Sequence, residues 1–199
     1  MPLLEEEMPR DPLVLFDRWF REAQEAGALQ PDAMTLATAS DEGPSARIVL
    51  FKGIDHGKFT FYSNYGSRKA RDMLEDHRAA LVFYWPVTRH QVRIYGTVRK
   101  LGRAASLAYW QTRPRGAQLS AMASHQSSVV RSREGLEKKV LELAAAHPDT
   151  VPLPTQWGGY ALKPVWIEFW ENREDRLHDR LRYVWRSAYA GWRLERLAP

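Results

Sequence analysis

A chain of 199 residues, 44% of them hydrophobic and 27% charged, is long enough to bury one substantial core and too apolar to be disordered. It has no cysteine, which excludes disulfides, thiolate nucleophiles and zinc-thiolate centres. Its formal charge of +5 favours an anionic partner, but the cations are scattered in short motifs beside Gly, Ser and aromatic residues. That arrangement favours phosphorylated small molecules over nucleic acid or a membrane surface.

In chain order, DPLVLFDRWFREAQEAG predicts a helix with Asp11 as N-cap, Pro12 in its first turn and Gly27 at its end. Leu13, Phe16, Phe20 and Ala23 form its expected apolar face. Strands are predicted over 33–40, 45–53 and 58–64, with a turn at 41–44 and a hairpin turn at His56-Gly57. A short helix over GSRKARDMLEDH follows, then strands over 79–85 and 89–101. Helices are expected over 103–112 and 115–123, and EGLEKKVLELAAAH reads as a strongly amphipathic helix. After the Pro-rich VPLPTQWGG, strands return in YALKPVWIEFW, HDRLRYVWRS and GWRLERL. Seven or more short strands with inserted helices predict a mainly β protein with helices, an antiparallel barrel in one domain over 1–199. Residues 1–10 are expected as a flexible arm. The start is acidic, with no leader-like pattern, and no run approaches the roughly 20 apolar residues of a membrane helix, so a cytoplasmic protein is expected.

GSRKA (Gly66–Ala70) opens a helix after a strand, with Ser67 placed to cap and Arg68 and Lys69 in the first turn. Cations there oppose the positive end of the helix dipole, and a bound phosphate removes the conflict. The plainer alternative is an exposed, slightly unfavourable helix start. In RIVLFK, parity puts Arg47 and Lys52 on opposite strand faces, serving two ligands, or one if the chain bulges near Gly53, or standing merely as solvated charges at the strand ends. RHQVR sets Arg89, Gln91 and Arg93 on one face, where Gln91 meets either a heterocycle or a cross-strand partner. Tyr109 and Arg113, four residues apart, either grip one phosphate or stack on each other at the surface. HQSS (His125–Ser128) is a capping candidate. Read as a strand, DRLHDR (Asp175–Arg180) projects Arg176, His178 and Arg180 from one face as a cationic comb, with Leu177 and Asp179 opposite. The histidines at 56, 77, 90, 125, 147 and 178 lack metal-ligand spacing, so no metal site is expected. No glycine-rich nucleotide motif occurs. Side chains with so little redox chemistry leave any such chemistry to a cofactor.

Taken together, RIVLFK, FYSNYGSRKA, RHQVRIYG, YWQTRPR, SHQSS, LPTQWGGY, IEFW, DRLHDR and a terminal RLAP occur in the order found in the pyridoxine (pyridoxamine) 5′-phosphate oxidases, which the chain resembles from Asp11 to Pro199. The resemblance implies an antiparallel split β-barrel, a homodimer with FMN at the subunit interface, and oxidation of phosphorylated B6 vitamers by O2 with release of H2O2. It implies FMN contacts from Arg47, Ile48, Val49, Leu50, Lys52, Tyr62, Ser63, Arg68, Lys69, Gln91, Gln126, Ser127, Trp170 and Arg180. It implies substrate contacts from Lys52, Tyr109, Arg113, Arg176, Leu177 and His178, with Arg176 and His178 catalytic. Neither nucleic acid nor membrane is an expected partner. The chain departs from the family at Ala117, where a serine usually helps hold the substrate phosphate, and in its short acidic start. Two rival readings are another split-barrel flavoenzyme, such as a phenazine-pathway oxidase or a flavin reductase, and a non-enzymatic binding module.

Overall fold

The computed structural model describes residues 3–199. Helix α1 (Pro12–Glu25) begins as the sequence predicts: the Asp11 side chain accepts a hydrogen bond from the Leu13 N–H (2.9 Å), and Gly27 leaves the helix at φ +80°. Its buried face differs from the expected one. Leu15, Phe16, Trp19 and Ala23 are buried, while Leu13 and Phe20 sit at the margins. The reason is tertiary. Phe16 packs against Phe51, Phe59 and Phe83 with ring centroids 4.9 to 5.4 Å apart, which rotates the helix toward that aromatic cluster.

The strands β1 (Ala33–Ser40), β2 (Gly43–Leu50), β3 (Ile54–Asp55), β4 (Lys58–Asn64), β5 (Arg78–Trp85), β6 (His90–Lys100) and β7 (Trp157–Glu171) form one antiparallel sheet in the order β2-β1-β5-β6-β7-β4-β3. Beyond Leu50 the chain stays beside β4. The Lys52 N–H donates to Thr60 O (2.8 Å) and the Thr60 N–H to Gly53 O (3.0 Å), which brings the two ends of the path together as a barrel. The His56-Gly57 turn has φ of +46° and +74°, as the predicted two-residue hairpin requires. β7 is long enough to serve two partners besides β6: its first half pairs with β4 and its second with β8 (Asp179–Ser187). A bulge at Tyr95/Gly96 bends it between those roles. A Cβ on Gly96 would overlap the Lys163 carbonyl, so this crossing needs glycine. β8 continues into β9 (Gly191–Arg196).

A second core of Trp110, Leu119, Val151, Leu153 and Trp157 holds α3 (Arg103–Thr112) and α4 (Arg115–Ala123). Helix α5 (Arg133–Ala146), expected to be strongly amphipathic, is only weakly so: it rests on this core through Val140, Leu143 and Ala144, buries no residue completely and leaves Leu141 exposed. Residues Leu3 to Pro9 run along β8 and β9. Leu3 N donates to Asp179 Oδ2 (3.3 Å), Arg196 joins Asp179 to Glu5 (2.7 Å to each), and the Tyr183 hydroxyl donates to Pro9 O (2.8 Å). Among the described residues no helix is long and apolar enough to cross a membrane.

The cationic comb does not form as predicted. β8 starts at Asp179, and Arg176 lies in a turn at φ +65°, so Arg176, His178 and Arg180 do not share a strand face. Asp175 Oδ1 accepts from the Leu177 N–H (3.0 Å), a turn-forming contact that competes with extension. Arg89 likewise precedes β6, at φ +61°, and only Gln91 and Arg93 of its predicted trio lie on that strand.

Candidate functional site

A cavity of about 860 Å³ lies where β2 and β4 meet the starts of α2 (Arg68–Glu75) and the α3–α4 pair. It gathers Arg47, Ile48, Val49, Leu50, Lys52, Tyr62, Ser63, Arg68, Lys69, Tyr109, Arg113, Gln126 and Ser127 from the sequence reading. Arg47 and Lys52 reach one cavity despite their parity because β2 ends at Leu50 and Gly53 turns the chain at φ +109°. Lys52 also pairs with Asp32 (2.8 Å).

Ser67 stands at the N-cap of α2 but makes no side-chain capping bond. Its hydroxyl donates to Asn64 O (2.8 Å) instead. Lys69 is buried, and its ammonium donates to Gln126 Oε1 (2.8 Å), Ser63 Oγ (3.2 Å) and Ser67 Oγ (3.3 Å), all neutral. Burial first, and the neighbouring Arg47 charge second, push its pKa down to about 8, with Asp72 opposing them. The Arg68 Nε is buried without a partner. Arg47 donates to Thr38 Oγ1 (2.6 Å), Ser45 Oγ (2.7 Å), Leu36 O (3.2 Å) and Asp72 Oδ2 (3.3 Å), and burial lowers its pKa. A buried ammonium held by neutral oxygens, beside an unsatisfied guanidinium nitrogen and an uncapped helix start, is chemistry that a phosphate completes.

Tyr62 and Tyr109 stack with centroids 3.9 Å apart, and Trp157 lies nearly parallel to both, at 5.5 and 6.2 Å. The Arg113 guanidinium sits 4.6 Å over the Trp157 ring. Its Nη2 donates to Ala117 O (3.1 Å), and burial lowers its pKa. Among the described residues it has no carboxylate partner.

Gln91, Trp170, Arg176, Leu177, His178 and Arg180 do not line this cavity. Gln91, Trp170 and Arg180 form a row across β6, β7 and β8, with the Trp170 and His178 rings 4.9 Å apart. Arg180 donates to buried Glu168 (3.0 Å) and to Ala198 O (2.9 Å). His178 Nδ1 accepts from the Arg173 N–H (3.0 Å), which places the proton of a neutral ring on Nε2. The predicted residues thus fall into two groups on one chain.

Sequence reasoning missed Ser45, Ala46, Asn64, Ser120, Ala121, Ser124 and Trp157 as lining residues. Their signal was available in part: Ala117, Ser120 and Ala121 of α4 and its C-cap Ser124 recur at helical spacing, a face of small residues. No group of metal-ligating side chains occurs among the described residues.

The comparisons with known proteins fit this geometry. A family model described as pyridoxamine 5′-phosphate oxidase matches residues 20–147, and one described as the pyridoxine 5′-phosphate oxidase C-terminal dimerisation region matches residues 157–199. The pyridoxine/pyridoxamine 5′-phosphate oxidase of Salinibacter ruber is 50% identical over 95% of this chain and 89% of its own. That of Rubrobacter xylanophilus is 49% identical over 99% and 91%. Among solved structures, PhzG from Burkholderia lata, in complex with tetrahydrophenazine-1-carboxylic acid, superposes with a TM-score of 0.92 at 34% identity, covering 99% of this chain and 98% of its own. The fold is that of the FMN-binding split β-barrels, and the cofactor is FMN. Within that class, the chain belongs to the pyridoxamine 5′-phosphate oxidase family of oxidoreductases and carries the family's dimerisation region.

Proposed function

We propose that this protein oxidises pyridoxine 5′-phosphate or pyridoxamine 5′-phosphate to pyridoxal 5′-phosphate. O2 is the final electron acceptor and leaves as H2O2, and the amine substrate also consumes water and releases ammonia. The observation that carries the reading is a single cavity holding two cations, buried Lys69 and half-buried Arg113, that have no carboxylate partners among the described residues. One suits the phosphate of the cofactor and the other the phosphate of the substrate.

FMN, when bound, supplies the two-electron acceptor that these side chains lack. Arg68 and Lys69 take its phosphate, while Arg47 to Leu50, Lys52, Tyr62, Ser63, Gln126 and Ser127 hold the rest. Lys52, Tyr109 and Arg113 clasp the substrate phosphate, a grip remote from the reacting carbon that supplies orientation. A second copy of the chain brings Gln91, Trp170 and Arg180 to the flavin, and Arg176, Leu177 and His178 to the substrate. His178 then offers an Nε2–H donor, and Arg176 a cation for charge developing on the ring. A cytoplasmic location goes with this reading.

The test is direct. Purified protein should show a flavin absorption spectrum and form peroxide from pyridoxine 5′-phosphate in proportion to oxygen consumed. A second reading is favoured by the similarity to PhzG together with Ala117. On that reading the same cavity takes a reduced aromatic carboxylic acid, with Arg113 gripping a carboxylate. Yellow protein that turns over such an acid and ignores pyridoxine 5′-phosphate would establish it instead.

A further inference from the structure

The loop before β7 is pinned by side-chain hydrogen bonds to its carbonyls. Arg103, at the start of α3, donates to Pro154 O (2.8 Å) and Leu153 O (2.5 Å), and Trp110 Nε1 donates to Val151 O (2.8 Å). These bonds deliver Trp157 into the cavity wall, buried, with Asn64 of β4 as its strand partner. Gly159 follows at close quarters: a Cβ there would fall 2.6 Å from Leu101 Cδ1 and 2.8 Å from Tyr62 Cε1. The Tyr62 ring therefore lies directly on the β7 backbone, and Tyr109 lies on Tyr62.

We propose that Trp157 is the positioning residue of the phosphate grip, fixing Arg113 by its ring face and Tyr109 through the stacked Tyr62, and so making the site selective for a phosphorylated substrate. The inference rests on the reading of Tyr109 and Arg113 as that grip. Among the described residues no carboxylate orients the long Arg113 side chain; what surrounds its guanidinium is Trp157 at 4.6 Å, Trp110 at 5.4 Å and one carbonyl. A guanidinium stacked on indole keeps its in-plane donors free, so the surface that orients it does not compete with the anion. Trp157 contacts both the cofactor-side Tyr62 (centroids 5.5 Å apart) and the substrate-side Arg113 (4.6 Å), so one ring bears on both.

The experiment measures dissociation constants of the FMN-loaded enzyme for pyridoxal 5′-phosphate and for pyridoxal, in wild type, Trp157→Phe and Trp157→Leu. Trp157→Leu should weaken the phosphorylated ligand about tenfold more than the unphosphorylated one, and Trp157→Phe about threefold more, because the ring face is reduced rather than lost. A merely structural lesion weakens both ligands alike. An unchanged ratio in either variant overturns the proposal, and if Trp157→Leu does not fold, the ratio in Trp157→Phe decides. Absence of any phosphate preference in wild type would instead remove the reading of Tyr109 and Arg113, a separate failure visible before any variant is made.

Discussion

In protein free of anions, the Lys69 ammonium gives up its proton near pH 8, because burial and Arg47 disfavour its charge. A bound phosphate favours the charged form and raises that pKa. FMN affinity should therefore be full below about pH 8 and fall as pH rises through it, by up to about tenfold per pH unit. Equilibrium dialysis between pH 6.5 and 9.5 reads this. Lys69→Arg should flatten the profile, since a guanidinium stays charged throughout. Lys69→Ala should weaken FMN by about 10- to 100-fold at pH 7, the worth of a lost charge-assisted bond. Equal flavin retention by the variant would remove Lys69 from the site. Ala117 is the second residue with a definite expectation. It lines the cavity, and its carbonyl accepts from Arg113. Ala117→Ser supplies the hydroxyl that the family resemblance implies at this position and should lower the KM for pyridoxine 5′-phosphate by about threefold to tenfold, with kcat little changed.

At the scale of elements, the docking of α1 on the barrel carries a built-in pH response. His90, first residue of β6, stacks on Trp19 of α1 with centroids 3.8 Å apart, and its pKa falls to about 4, through burial first and Arg18 second. Glu22, 3.9 Å from Nδ1, is the acidic group that faces it. The folded-state value lies below the ordinary value of 6.5, so the unfolded chain binds the proton more readily. The His90 contribution to stability is full above pH 6.5 and drains as pH falls toward 4. Thermal unfolding from pH 7 to 4 should show that slope, and His90→Phe, which keeps a ring on Trp19, should reduce it. Local elements such as the His56-Gly57 hairpin and the α1 cap were legible in the sequence because neighbouring residues alone determine them. The helix face was less so: Trp19 wins over Phe20 because of His90, 71 positions away in the chain. The strand reading of DRLHDR failed for a related reason. Alternation is a weak signal over six residues, and the Asp175 turn contact decides the backbone. At the site, motif residues were legible, but Trp157 was not, since only barrel closure brings β7 against α3 and β4.

At the scale of the whole molecule, the two groups of site residues set a geometric question. Lys52, Tyr109 and Arg113 line the cavity of a chain whose own Arg176 and His178 do not. The dimerisation region over 157–199 contains all of the second group except Gln91, which pairs with Trp170 of that region. A two-fold dimer is self-complementary, so each chain would complete the other's cavity and both sites would be composite. Genetic complementation distinguishes this from two self-contained sites. Arg113→Ala and Arg176→Ala should each be nearly inactive alone, because each dimer then carries the defect in both cavities. Co-expressed in equal amounts, half of the dimers are mixed, and each mixed dimer holds one site with both defects and one with neither. The mixture should therefore recover about one quarter of wild-type activity, as two-fold symmetry dictates. If each site lies within a single chain, no mixed dimer contains an intact one, and activity stays at the average of the two variants. Lys69→Ala paired with Arg176→Ala should behave in the same way, with flavin retained in half of the cavities. Lys69→Ala paired with Arg113→Ala should recover no more than the average of its parents, because Lys69 and Arg113 of one chain line the same cavity and the mixed dimer therefore has one defect in each site.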